Sequence, residues 1–180
     1  MGIYRAQITD LTPIANLTNL TNLFISANPV RDITPLSGLT NLTQLYLTNN
    51  QIRDITPLAG LTNLTRLLLM ENQISDLTPL ADADLPNLTF MSMANNQISD
   101  LTPLAGLTSL ETLGLRYNNV SDLTPLAQLT NLMTLVANDN EISDLTPLAD
   151  LANLNHLDFT NNPIDDWSPV DHVDSVDGRP

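Results

Sequence analysis

A 22-residue phrase recurs along almost the whole of this chain and limits its fold more than any other feature. Typified by Leu39 to Gly60, LTNLTQLYLTNNQIRDITPLAG, it reads L-x-x-L-x-x-L-x-L-x-x-N-x-I-x-D-I-T-P-L-x-x and begins at Leu17, Leu39, Leu61, Leu85, Leu107, Leu129 and Leu151. A closing half-phrase, Ile8 to Ile14, precedes the first copy, so the regular part starts near residue 8. A unit this short cannot enclose a core by itself; it buries its apolar positions only by stacking on its neighbours. The chain is therefore expected to form one continuous stack, divided into an N-terminal cap and half repeat (1–16), seven repeats (17–172) and a polar tail (173–180) that frays.

All seven copies keep an asparagine (Asn28, Asn50, Asn72, Asn96, Asn118, Asn140, Asn162) and an aspartate four places on (Asp32, Asp54, Asp76, Asp100, Asp122, Asp144, Asp166). On these columns, over roughly residues 8 to 172, the chain resembles the leucine-rich repeat proteins of the 22-residue bacterial internalin type. The resemblance implies an α/β solenoid. Its parallel sheet lines the concave side, one strand per repeat, and short helical (3-10) turns line the convex side. It implies no particular ligand, because such families bind unrelated partners through different side chains. It also implies a secreted or cell-surface location, although Met1 to Gln7 contains no apolar run of signal-peptide length, so localisation stays open.

Within a copy, Leu45 and Leu47 alternate with Tyr46 and Thr48 at strand period, so the leucines face the core and the other two face outward. The asparagine follows where the chain leaves the strand. There a buried amide can donate to and accept from main-chain groups that have no strand partner. After the aspartate, Thr-Pro (Ser168-Pro169 in the last copy) reads as an N-cap with proline at the first helical position. Carboxylates stacked once per repeat repel, so each aspartate is expected to be held by turn amides. A calcium ladder is the rival reading, and one Asp per repeat followed by Ile or Leu supplies too few oxygens for it.

The ends and one interior repeat depart from the pattern. Ile3, Tyr4 and Ile8 are the apolar residues available to cover the first repeat, and poor cover would invite end-to-end association of an otherwise monomeric chain. The third copy is two residues too long, with Ala81-Asp82-Ala83-Asp84 ahead of Leu85, which reads as a lengthened convex turn. In the last copy Trp167 stands in a leucine position, as a lid on the C-terminal end.

Composition narrows the function. The net charge is −14, with six arginines and no lysine, which disfavours nucleic acid and anionic membrane as partners. No cysteine is present and no segment has the length and apolarity to span a bilayer. The two histidines, His156 and His172, belong to no recognisable catalytic motif, so neither an enzyme nor a cofactor is expected. Several N-x-[ST] strings, such as those at Asn41 and Asn63, are by-products of the repeated LTNLT.

Variation between copies concentrates at the outward strand positions. There Phe24, Tyr46, Leu68, Met70 and Phe90 form an apolar stripe over the first four repeats, flanked by Arg66, with Arg116 and Tyr117 beyond. Aromatic residues and arginine dominate binding energy at protein interfaces, so a protein partner on the concave face is the leading expectation. Cross-strand packing of the same side chains is the alternative. The far end is acidic: Asp139 and Asp158 lie there beside His156. His156 and Asp158 point the same way, but they are too few for a metal and read as a solvated polar face, where with Asp139 they count among the candidate protein-binding residues. The competing function is a structural or engineered repeat scaffold without a dedicated ligand.

Overall fold

The computed structural model describes residues 1–81 and 83–180. Nine short strands form a single sheet in chain order: β1 (Gly2–Tyr4), β2 (Asn22–Ser26), β3 (Gln44–Tyr46), β4 (Arg66–Leu68), β5 (Phe90–Ser92), β6 (Thr112–Gly114), β7 (Thr134–Val136), β8 (His156–Asp158) and β9 (Ser175–Asp177). All neighbours pair in parallel, and the repeat sets the register: Leu45 lies opposite Leu67, and Leu113 opposite Leu135. At about 4.8 Å per strand the sheet is roughly 38 Å across. Both leucines of the L-x-L pair are fully enclosed, as Leu45 and Leu47 show at 0% exposure, and one apolar core runs the length of the stack.

Opposite the sheet, a single 3-10 turn recurs in every repeat, from Thr12–Ile14 and Thr34–Leu36 to Thr146–Leu148 and Ser168–Val170. The cap differs from the sequence-based expectation. Threonine (Ser168 in the last copy) is the first residue of the turn rather than its N-cap; that position is held by Ile or Leu, or by Trp167 in the last copy, whose side chains make no cap bond, and the proline comes second. The aspartate two residues before the threonine does the capping. Asp32, Asp54 and Asp122 each accept a 2.8 Å bond from the main-chain N–H of Thr34, Thr56 and Thr124, the geometry of an Asx turn. The threonine side chain and amide together hold each of these carboxyls below the usual carboxylate range. At Asp54 they prevail over the repulsion of Asp32 and Asp76.

The asparagine column is buried at Asn28, Asn50, Asn72, Asn118 and Asn140 and half-buried at Asn96 and Asn162, and it bonds between repeats. Asn72 Nδ2 donates to the carbonyls of Leu47 and Leu69, while its Oδ1 accepts from the N–H of Ile52. Asn118 repeats the arrangement with Met93, Leu115 and Ile98. Immediately before each asparagine the backbone is left-handed: Ala27, Asn49, Glu71, Asn95, Tyr117, Asp139 and Asn161 have φ between 53 and 61°.

Both ends correct the reading from sequence. Residues 2–4 form a strand against β2, with Gly2 opposite Phe24, so the N-terminal piece continues the sheet. Ile3 and Ile8 pack on the core as expected, but Tyr4 is 65% exposed beside Arg5 and covers nothing. The C-terminal tail does not fray through residues 175–177, which pair with β8 as β9. Gly178 turns the chain at φ 96°, where a Cβ would meet the main chain of Thr160 and Phe159 at 2.6–2.8 Å. Trp167 is 7% exposed within the same core as Val170 and Val173, and its indole N–H has no hydrogen-bond partner among the described residues. Of the insertion, Asp82 lies outside the described residues; Ala83 packs on the core, and the ladder resumes with Arg66 opposite Phe90.

Candidate protein-binding face

The parallel register sorts the outward side chains into rows across the sheet. One row runs Asn22, Gln44, Arg66, Phe90, Thr112, Thr134, His156; the next runs Phe24, Tyr46, Leu68, Ser92, Gly114, Val136, Asp158. Phe24, Tyr46, Leu68 and Phe90 are all half-buried, so they lie outside the core yet shield one another. The Phe24 and Tyr46 rings meet at 4.6 Å, tilted by 58°. The Arg66 guanidinium sits 4.3 Å over the Phe90 ring.

The stripe read from sequence is thus two segments rather than one line. Phe24, Tyr46 and Leu68 share a row, Phe90 sits in the adjacent row with Arg66, and Met70 lies beyond β4. Where the first segment ends, side chains shrink: Ser92 and Ala94 are buried, and Gly114 has no side chain. Above them is a depression of about 360 Å³, walled by Met70, Glu71, Phe90, Arg116 and Val136. Sequence reasoning passed over Ser92, Ala94, Gly114 and Val136 because it weighed the large residues in each column. The signal was the adjacent pair of small residues at 92 and 114.

Arg116 and Tyr117 come together: the guanidinium lies 4.5 Å over the ring, and Nη2 donates to the phenol oxygen at 3.2 Å. That bond, with the more distant carboxylates of Asp139 and Asp158, raises the Arg116 pKa further above its usual value. Neither carboxylate is within ion-pairing range; among the described residues the one ion pair joins Arg179 and Asp171. Asp139 accepts instead from the side-chain amides of Asn138 and Asn161. Asp158 accepts from the N–H and hydroxyl of Thr160, while His156 Nδ1 lies 3.1 Å from the Ser175 hydroxyl. The acidic end therefore does not converge on a point. Among the described residues no three of His, Asp, Glu or Cys gather as a metal would require, and no helix is long and apolar enough to cross a membrane.

Comparison with known proteins agrees with this architecture. A model of tandem leucine-rich repeats matches residues 40–82, 86–128 and 130–172. The chain is 42% identical to an internalin, InlF, of Listeria monocytogenes, over 94% of this chain and 51% of that one, with a TM-score of 0.90. It is 40% identical to internalin C2 of the same organism, over 96% and 77% of the two chains, with a TM-score of 0.89. A leucine-rich repeat protein of Leptospira interrogans is 26% identical over 94% of this chain and 45% of that one, at a TM-score of 0.85. The chain thus spans about half the length of InlF. No protein of curated function matches it. Leucine-rich repeat domains generally mediate protein–protein interaction. With its 22-residue period, its asparagine column and its concave parallel sheet, this chain belongs to the leucine-rich repeat family, in the internalin type.

Proposed function

We propose that this chain is a non-enzymatic recognition module that binds a protein partner through the concave face. Contact centres on Phe24, Tyr46, Leu68, Met70, Phe90 and the Arg116–Tyr117 pair. The observation that carries this reading is an array of partly exposed aromatic, aliphatic and arginine side chains on a surface whose opposite face already satisfies the core. Such residues lose most solvent when a partner seals them, which is where interface energy concentrates. Nine strands give room for the roughly 800 Å² per partner of a standard interface.

A packing role without a ligand is the second reading, favoured by the Phe24–Tyr46 and Arg66–Phe90 contacts, which join neighbouring strands. Replacing Tyr46, Phe90 and Arg116 by Thr separates the two. A binding face loses its captured protein while the melting temperature moves little; a packing stripe loses several degrees and has no specific prey to lose. Equal recovery of the same prey by wild type and variant defeats the binding reading.

A further inference from the structure

We propose that the depression between β4 and β7 is a socket for one aromatic side chain of the partner, with a carboxylate beside that ring engaging Arg116. This rests on the concave face being the binding face. In the row that crosses the sheet, large side chains stop at Leu68 and resume at Val136, leaving Ser92 and Gly114 between them. The fold does not require that gap. A Cβ built on Gly114 meets only Ser92, at 2.8 Å to its hydroxyl and 3.3 Å to its Cβ, and Gly114 is not among the residues of positive φ. Glycine weakens a strand and offers nothing to pack, so its effect here is to keep about 360 Å³ open.

The walls select the occupant. Phe90 is fixed from one side by Arg66, and the flexible Met70 thioether makes favourable contacts with aromatic rings. A floor of Ser92, Ala94 and Gly114 without branched side chains suits a flat ring. At the rim, Arg116 is oriented by Tyr117 and, among the described residues, bonded to no carboxylate, while Glu71, the depression's own carboxylate, accepts from Asn49; guanidinium donors remain for an incoming anion. The volume is at the low end for a small-molecule site and open to solvent, which fits a side chain delivered by a larger partner better than a free metabolite.

Phenylacetate carries the ring and the carboxylate together and serves as the probe, followed by amide chemical shifts of the full chain. The amides of Ser92 and Gly114 should shift saturably, with a Kd of a few millimolar. Phenylacetamide, which lacks the charge, should bind about tenfold more weakly. Arg116→Gln should bring phenylacetate down to the same level. Gly114→Val, alone or with Ser92→Ala to relieve the one close contact, should abolish the shifts while the melting temperature holds or rises. Absence of saturable shifts in the wild type, or equal binding by the filled variant, overturns the socket. Prey captured by the wild type settles which reading fails. If Tyr46→Thr and Phe90→Thr lose the prey and Gly114→Val keeps it, the concave face stands and the socket falls. If all of them keep it, the concave face falls as well.

Discussion

The asparagine and aspartate columns recur with equal fidelity, yet they answer to different physics. Asn118 is buried and bonds to its neighbouring repeat: its amide donates to the Met93 carbonyl at 3.0 Å and its oxygen accepts from Ile98 at 2.9 Å. Asp122, four residues on, is exposed and bonds only within its own turn, to Thr124. The first column needs a donor and an acceptor on one side chain, which only an amide of that length supplies. The second needs one acceptor at the start of a 3-10 turn. Recurrence in the sequence therefore marks a constraint without giving its size, and burial decides the size.

The comparison breaks most easily at its strong side. Removing Asn118 strands the Ile98 N–H in a place closed to bulk solvent, and leaves the Met93 and Leu115 carbonyls with one side-chain donor each, Asn96 and Asn140. Asn118→Ala should cost about 2–3 kcal/mol. That corresponds to a drop of roughly 4–12 °C in melting temperature for a chain of this size. Asn118→Asp should be no milder near neutral pH, because a carboxylate then faces carbonyl oxygens. A thermal-melt loss under about 1 kcal/mol for either variant would mean that the ladder is ornamental to stability. Asn50 sharpens the test internally. Its Oδ1 has no donor among the described residues, so Asn50→Ala takes a donor from the Ile25 carbonyl but strands no N–H, and should cost less than Asn118→Ala.

The aspartate side is the milder one. Asp122→Ala removes one exposed turn cap and should lower the melting temperature by about 2–4 °C. Its pH signature is directional. The folded-state pKa values of Asp32, Asp54, Asp76, Asp100 and Asp122 are lowered, first by the threonine side-chain bond in each case. The stability they contribute is therefore fully present above the unfolded pKa, near 3.9, and is lost as pH falls through the folded values. With a net charge of −14, partial protonation of other carboxylates relieves repulsion first. Melting temperature should hold or rise from pH 7 to 5 and fall below about 4. A monotonic decline starting at pH 6 would show that the aspartates do not control the acid limb.

How much of this was legible in the sequence follows the same division. The period placed the strands, the core leucines and both columns correctly, since stacked copies leave one way to bury L-x-L. The cap was misplaced by two residues, because Asp-x-Thr-Pro offers two side-chain oxygens at one turn and composition alone does not say which reaches the amide. Tyr4 and residues 175–177 were misread because end strands borrow their register from a neighbouring repeat and carry no L-x-L of their own. On the concave face the large residues were found and the socket was not. A cavity is defined by missing atoms, and Ser92 and Gly114 signify one only when the register puts them side by side.

The left-handed column offers the smallest effect and the cleanest separation of stability from recognition. Asparagine and aspartate tolerate this conformation, and they hold it at 49, 95, 139 and 161; Ala27, Glu71 and Tyr117 hold it at a cost. Tyr117 has φ 53° and is 43% exposed, so neither backbone preference nor core packing accounts for a tyrosine there. Its contact with Arg116 does. Ala27→Asn and Tyr117→Asn should each gain about 0.5–1 kcal/mol by relieving the backbone. They should then part company: Ala27→Asn keeps partner affinity within a few fold, whereas Tyr117→Asn frees the Arg116 guanidinium to reorient and weakens binding. If Tyr117→Asn is more stable and binds equally well, the strained tyrosine has no role in recognition, and the contact centre moves back to Tyr46 and Phe90.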